Sequence, residues 1–339
     1  MRTSKVFLTT LWVTALSVLS PAFAVASHQE EKKTDTVPFN LPLKDKKILF
    51  VLSSKAKLGG ESPRKAGVWA ESLAAPYEIL TQQGAKISLA SVEGGKAPVD
   101  PRSENSDFAT AYTKQFRKDA QGQELLAHTM RLSDVQAADY DAICYTSSYG
   151  MFYDLVDNPD SIRLLTEFER AKKPIGLTSQ GPLVLKNVKD AKGGVLVKGK
   201  VVTAFRNSEE AGSKLALDHN LFPISILKTM DHGRTYRTAA LPEDQFLKEL
   251  KLVGTVPFLT ETLLKSQGAV YKSRKNWESF VVEDLTNDGA ILLTAQNPDS
   301  IELWSKAFIQ ILLNQQAVET KIATGGAREF SGEGEGLSL

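Results

Sequence analysis

Short apolar runs alternate along the chain with segments whose apolar residues recur at helical spacing. Three such runs are predicted to be buried strands: KILFVLSS (47–54), KISLAS (86–91) and AICYTS (142–147). A helix is predicted from about Val68 to Gln83 and another over 159–171, while 105–138 favours mostly helices. Strands separated by helical crossovers predict an α/β fold, with a mostly parallel sheet and helices on both faces.

The first 26 residues have the pattern of a secretory signal peptide. Arg2 and Lys5 precede an uncharged apolar run, VFLTTLWVTALSVL, and small-x-small sites end at Ala24 and Ala26. The run is short for a membrane-spanning helix and is followed by a cleavage pattern. We therefore expect a periplasmic or secreted protein that is not membrane-integral after cleavage. An uncleaved amino-terminal anchor is the alternative.

The remaining chain is predicted to be one domain with additions. Residues 27–45 are polar and contain two prolines, which favours a tether. Residues 46–318 are expected to form the single domain, with an insertion at about 211–251. The Gly- and Glu-rich segment over 319–339 predicts a disordered tail.

Composition excludes several classes of protein. The 339 residues are 42% hydrophobic and 24% charged, which fits a large core and not a disordered chain. The net charge is +1, or −1 without the leader, so nucleic acid is not expected as a partner. Cys144 is the single cysteine and is predicted to be a buried hydrophobe; a displaced nucleophile is the weaker alternative. The histidines are dispersed, and neither a metal nor another cofactor is expected.

The stretch PIGLTSQGP (174–182) predicts a short buried strand that turns sharply into a helix at Ser179. Gly181 and Pro182 suit the turn and the opening of the helix. Enzymes of the α/β class hold a nucleophile at such an elbow, and a helix N-terminus also binds anions. A serine that only caps the helix is the alternative.

Six further segments follow in an order typical of a known family. They are AGVWAESLAAPY (66–77), LASVEGGKAPVDPRS (89–103), LSDVQAADYDAICY (132–145), VKGKVVTAFRNSEE (197–210), VPFLTETLLKSQGAVY (256–271) and LLTAQNPDS (292–300). With LTSQGP at the elbow, the chain resembles the PfpI-type, class I glutamine-amidotransferase-like superfamily, in its branch of glutathione-independent glyoxalases, protein deglycases and heat-shock chaperones. The resemblance covers about 46–313 and implies a flavodoxin-like sandwich.

The chain departs from that branch at the residues that would carry the chemistry. The resemblance implies that the nucleophilic Cys falls on Ser179, the following His on Gln180, and the carboxylate paired with the Cys on Ser72. The family's GGHG loop falls on Ser147, Ser148, Tyr149 and Gly150. Glu71 is adjacent to Ser72, but one helical residue is a rotation of about 100 degrees, so Glu71 should point away from the elbow.

These replacements predict a degenerate site. A serine nucleophile needs a general base, usually His, and Gln180 cannot exchange a proton near neutral pH. Ser179, Gln180 and Ser72 are thus the candidate catalytic positions, and Gly181 with the 147–150 loop is the candidate ligand-binding set. Either histidine of the insertion, His219 or His232, is an alternative base.

Three functions stay open. The favoured one is a non-catalytic protein that binds a small polar or anionic ligand at the elbow. The second is a residual enzyme, acting on reactive aldehydes or by serine-based hydrolysis. The third is a holdase chaperone of the cell envelope, which requires an exposed apolar patch. A homodimer is also left open.

Overall fold

A single sheet of eight strands runs through the computed structural model, which describes residues 41–58, 65–210, Gln245 and 256–332. Its order is β10-β8-β9-β5-β4-β1-β2-β3, and β6 and β7 form a separate two-stranded sheet. The strands are β1 (Lys47–Leu52), β2 (Lys86–Ser91), β3 (Met130–Arg131), β4 (Ala142–Tyr145), β5 (Ile175–Thr178), β6 (Val201–Val202), β7 (Val270–Tyr271), β8 (Phe280–Leu285), β9 (Ile291–Ala295) and β10 (Arg328–Ser331). Only the pairings of β8, with β9 and β10, are antiparallel. The predicted mostly parallel α/β fold is confirmed.

Helices cover both faces of the sheet. They are α1 (Ala70–Gln82), α2 (Ala111–Phe116), α3 (Ala120–Ala127), α4 (Met151–Asp154), α5 (Pro159–Arg170), α6 (Thr260–Ser266) and α7 (Ile301–Gly325). Short 3₁₀ helices span Ser106–Phe108, Leu132–Asp134, Ala137–Asp139, Gly181–Asn187 and Pro298–Ser300. α7 is kinked at Asn314, where the backbone leaves helical geometry. No helix in the described part of the chain is long and apolar enough to cross a membrane.

The buried strands separate two hydrophobic clusters by simple alternation. In β1, Leu49 and Val51 face one cluster, whereas Ile48, Phe50 and Leu52 face the other. This follows from the two-residue period of a strand whose two faces are both covered. Cys144 lies in the second cluster, fully buried, and burial raises the pKa of its thiol well above the usual value. A thiol in that state is a poor nucleophile.

The ends of the domain differ from the sequence-based expectation. Leu43, at the end of the expected tether, is fully buried, and its N–H donates to Gln83 O at 2.8 Å. The expected disordered tail begins at 319, yet α7 continues to Gly325 and β10 then pairs with β8. Composition could not reveal this pairing, because it depends on the open edge of β8 and on the burial of Phe330.

Several other predictions lie outside the described residues. These are the signal peptide, most of the tether, nearly all of the insertion at 211–251 with its two histidines, and the last seven residues. They remain predictions.

Candidate functional site

Ser179 lies directly after β5 in a left-handed backbone conformation, with φ of 53°. Side-chain-bearing residues rarely adopt this conformation, and they do so mostly where surrounding contacts enforce it. Here the Ser179 N–H donates to Ala295 O at 2.9 Å, and its carbonyl oxygen accepts from the Phe205 N–H, also at 2.9 Å. The end of β9 and the 203–206 segment therefore hold the elbow from two sides.

The helix that follows the elbow is weaker than the sequence suggested. Gly181–Asn187 is a seven-residue 3₁₀ helix, not an α-helix. Its hydrogen-bond geometry is poorer and its length short, so the dipole expected to attract an anion is reduced. Gly181 is needed for packing, because a Cβ there would lie 2.9 Å from Tyr145 O.

Unpartnered hydroxyl groups collect at this end of the sheet. Ser179 is fully buried, and its Oγ has no hydrogen-bond partner among the described residues. Four further buried hydroxyls share that condition: Ser72 in the first turn of α1, Thr146 after β4, Thr178 at the end of β5 and Thr203 after β6. Buried polar atoms are nearly always paired, so this group of hydroxyls indicates a place where water or a ligand supplies the missing bonds.

Gln180 belongs to a buried network that reaches across the site. Its Oε1 accepts from Ser147 Oγ, and its side-chain amide hydrogen-bonds to the Glu210 carboxylate. Glu210 also accepts from Tyr149 OH at 2.6 Å. We call Ser147, Gln180, Glu210 and Tyr149 the elbow network. It fixes the orientation of the Gln180 amide, since the carbonyl end and the amide end each have a partner.

Glu210 is the titrating group of the elbow network. Burial raises the pKa of its carboxyl group to about 7, against the opposing effects of Tyr149, Gln180 and the Arg102 charge. Burial, together with the neighbouring Glu210, also raises the pKa of Tyr149 well above its usual value. Near neutral pH the network therefore contains one group that can exchange a proton.

An ion pair stands beside the network. Arg102 Nε donates to Asp100 Oδ1 at 2.9 Å, and the guanidinium lies 5.5 Å from the centre of the Tyr149 ring. Burial alone would lower the pKa of Arg102, but the bond and charge of Asp100 outweigh it and raise that pKa. Asp100 is itself fixed by its backbone N–H, which donates to Val68 O at 2.9 Å. A permanent positive charge thus faces Tyr149 and Glu210.

No described histidine is available to Ser179. His128 is the single histidine among the described residues; it ends α3, and its side chain is 71% exposed, with Nδ1 3.0 Å from Glu124 Oε1. Nor do the described residues contain a group of three or more His, Cys, Asp or Glu side chains that could hold a metal ion. The described geometry can bind and orient a ligand, but it offers Ser179 no general base.

The chain is similar to known proteins over most of their length. Glyoxalase 3 of Candida albicans is 26% identical over 206 residues, which is 59% of this chain and 86% of that protein. The crystal structure of Rapid Encystment Protein 24 kDa of Francisella tularensis covers 79% of this chain and 99% of its own, with 26% identity and a TM-score of 0.61. These similarities support the PfpI-type, class I glutamine-amidotransferase-like superfamily for this chain.

Two further comparisons concern the fold and the known family models. The crystal structure of glyoxalase III from Candida albicans matches with a TM-score of 0.59 and 22% identity, over 78% of this chain and 96% of that one. At that identity the match shows the fold alone. No family model matches the chain.

The structure brings some of the predicted site residues together and gives others a backbone role. Ser147, Tyr149 and Gln180 share the elbow network, while Ser72 and Ser179 contribute unpartnered hydroxyls. Ser148 Oγ accepts from the Gly150 N–H at 3.0 Å, so it stabilises its own loop. A Cβ on Gly150 would collide with Ser53, so this glycine lets the loop approach the end of β1.

Sequence reasoning missed three charged residues of this site: Glu210, Arg102 and Asp100. Each lies inside a family-like segment quoted above, but the segments were used for their order and not for their side chains. Glu71 hydrogen-bonds to Thr110, and burial, with the nearby charges of Asp299 and Glu302, raises the pKa of its carboxyl group. It is therefore no substitute for a carboxylate at Ser72.

Proposed function

We propose that this chain is an exported, glyoxalase-like member of the superfamily that binds a small polar or anionic ligand at the Ser179 elbow without converting it. The observation that carries the proposal is the buried Ser179 Oγ, which has no partner among the described residues. A pre-formed donor and acceptor of that kind suits a ligand. Export is supported by the amino-terminal sequence pattern, and a homodimer stays a prediction.

The chemistry of the neighbouring residues supports binding over turnover. A serine hydroxyl becomes nucleophilic only when a base within hydrogen-bond reach accepts its proton. Gln180 has no proton to exchange, and its amide is already engaged by Ser147 and Glu210. A thiol step is also excluded at this position, because the residue is serine.

A residual enzyme is the second candidate, and Glu210 favours it. Its pKa of about 7 is suitable for proton exchange near neutral pH. Its two assigned hydrogen bonds go to Tyr149 and Gln180, however, and neither is to Ser179. Glu210 would have to act through a ligand or a water molecule.

The holdase alternative receives no support from the described surface. Its large hydrophobic side chains with more than a third exposed are Met130, Tyr153, Val270 and Leu313. They lie on four different elements and therefore do not indicate a contiguous apolar patch.

An assay with methylglyoxal separates binding from turnover. Purified protein and Ser179→Ala are incubated with methylglyoxal, and lactate is measured against the enzyme-free background. We expect both to match the background. Lactate formation by the wild type that disappears in Ser179→Ala would establish the residual enzyme instead.

A thermal-shift screen of carboxylates, phosphates, amino acids and small aldehydes tests binding. A ligand at a hundredfold excess over its dissociation constant adds about 2.7 kcal/mol of stability. Ser179→Trp should fill the site and abolish the shift. If no compound stabilises the wild type, or if the hits stabilise Ser179→Trp equally, the binding proposal fails. Intact mass of the exported protein checks cleavage after Ala24 or Ala26.

A further inference from the structure

Trp277 is held in a backbone conformation that a bulky residue rarely adopts, with φ of 66°. Its N–H donates to Glu209 Oε1 at 2.7 Å, and Glu209 is completely buried. This hydrogen bond holds the Trp277 backbone in its left-handed conformation. Residues with a strained backbone cluster at ligand sites, where the surrounding structure holds the side chain in one orientation.

The indole N–H of Trp277 is buried and has no hydrogen-bond acceptor among the described residues. Tryptophan can only donate at this atom, and a buried indole N–H usually has a partner. The missing acceptor is therefore a group outside the described residues. Trp277 combines a strained backbone with an unpartnered indole N–H. These two independent observations point to a ligand.

Two routes connect Trp277 with the elbow. Its ring packs edge-on against Phe205 at 5.9 Å between ring centres, and the Phe205 N–H donates to Ser179 O. Glu209 also accepts from Gln296 Nε2 at 2.9 Å. Gln296 directly follows Ala295, whose carbonyl oxygen accepts from the Ser179 N–H. Trp277 thus flanks the same turn that presents Ser179.

The segment that carries Trp277 is basic. Residues 272–278 read KSRKNWE, with three basic residues and one acidic residue. Lys275 lies 3.6 Å from Glu278 and Lys272 lies 4.0 Å from Glu329, both at exposed positions where ion pairs are weak. The net positive charge of this segment favours an acceptor that carries negative charge.

We infer that the indole N–H of Trp277 donates a hydrogen bond to a small carboxylate bound beside the Ser179 elbow. The inference rests on the proposed binding function and names the ligand class for that site. Trp277 would set specificity by pairing with the carboxylate end of the ligand, while the unpartnered hydroxyls around Ser179 face its other polar groups.

Indole N–H resonances of the ¹⁵N-labelled full chain test the contact directly. The Trp277 signal is assigned by its loss in Trp277→Phe, and the protein is titrated with pyruvate and with hydroxyacetone, a neutral molecule of similar size. We expect pyruvate to shift the Trp277 signal saturably and hydroxyacetone to shift it less. Trp277→Phe keeps an aromatic ring and should raise the pyruvate dissociation constant about tenfold, as the loss of one bond to a charged acceptor.

The matched control is Trp69→Phe. The Trp69 side chain packs on Phe108 at 5.1 Å, on the α1 side of the site, so its replacement should leave the pyruvate affinity unchanged. If pyruvate raises the melting temperature while the Trp277 signal does not move, the inference is wrong and the binding function stands. If hydroxyacetone acts as strongly as pyruvate, the carboxylate assignment is wrong. If neither produces a response, the inference is overturned, and the wider ligand screen decides the binding function.

Discussion

Glu209 and Glu210 are neighbours in the sequence, yet they serve two differently built regions. Both are buried, and burial raises the pKa of each to about 7. Glu209 accepts from the backbone N–H groups of Trp277 and Arg206 and from the side chains of Gln296 and Asn297. Glu210 joins the elbow network, beside hydroxyls that have no partner.

The Glu209 region is a structural frame, whereas the Ser179 region is the candidate binding site. The Glu209 carboxylate accepts four hydrogen bonds and ties the 274–278 loop to the end of β9. Around Ser179 the hydroxyls are left open, which costs stability unless something binds. The two regions should therefore respond in opposite ways to the removal of a polar group.

The largest expected effect is that of Glu209→Ala. Truncation removes the acceptor of four hydrogen bonds, two from backbone N–H groups and two from side-chain amides, and should lower the free energy of unfolding by about 3–5 kcal/mol. Glu210→Ala removes fewer bonds and should cost less. Urea unfolding at pH 7 measures both. Equal losses would mean that Glu209 is not the frame residue described above.

The pH dependence of stability should come next in size. Both carboxyls have a folded pKa of about 7 against the ordinary 4.5, so the folded protein retains protons that the unfolded chain releases between those values. Their contribution is complete below about pH 4.5 and is lost as the pH rises to about 7. Relative to wild type, Glu209→Gln and Glu210→Gln should each reduce this loss by about 1–3 kcal/mol between pH 5 and 8. Urea unfolding measures the stability of each variant and of the wild type across this pH range. If a variant and the wild type lost the same stability with pH, the substituted carboxyl group would not titrate as described.

A restored thiol probes the elbow itself. In Ser72→Glu/Ser179→Cys/Gln180→His, the new imidazole would find the Glu210 carboxylate that now holds the Gln180 amide. We expect a thiol pKa at least one unit below the ~8.5 of free cysteine, or roughly tenfold more thiolate at pH 7. The pH dependence of iodoacetamide alkylation measures it, with Glu210→Gln added as the control. Slow alkylation without pH dependence would show that the site has also changed in shape.

The smallest effect compares two fully buried serines. Ser300 Oγ accepts from the Phe280 N–H at 3.0 Å and donates to Asn297 Oδ1 at 2.9 Å, whereas Ser179 Oγ has no partner. Ser300→Ala should cost about 1–2 kcal/mol, and Ser179→Ala should cost less than about 0.5 kcal/mol or stabilise the protein. Thermal unfolding without added ligand decides between them. A clear loss in Ser179→Ala would reveal a partner for its hydroxyl.

Local sequence patterns predicted much of the fold. β2 has the predicted bounds, and α5 differs from the prediction by one residue. Both could be predicted because the spacing of apolar residues in each segment shows which of its faces is buried. The strand before Ser179 was also found, and the structure adds the left-handed turn. The 3₁₀ form of the following helix was not predicted, since Leu183, Val184 and Leu185 suit either helix type.

The charged part of the site was not predictable from local pattern. Tyr149 and Glu210 are 61 residues apart, and their contact depends on how the 203–210 segment crosses the elbow. Trp277 is a similar case, because only a backbone angle and an unpaired donor distinguish it from an ordinary loop aromatic. Periodicity carries no information on either.

The carboxyl-terminal strand has a consequence for solubility. β10 covers the outer edge of β8, and Arg328 pairs with the buried Glu283 at 2.8 Å. An uncovered strand edge is a template for association between chains, which short, charged edge strands prevent. A chain shortened to residue 318 would expose β8 and leave Glu283 without its cation, and light scattering should then detect aggregation. The last described residues protect the molecule from its own copies.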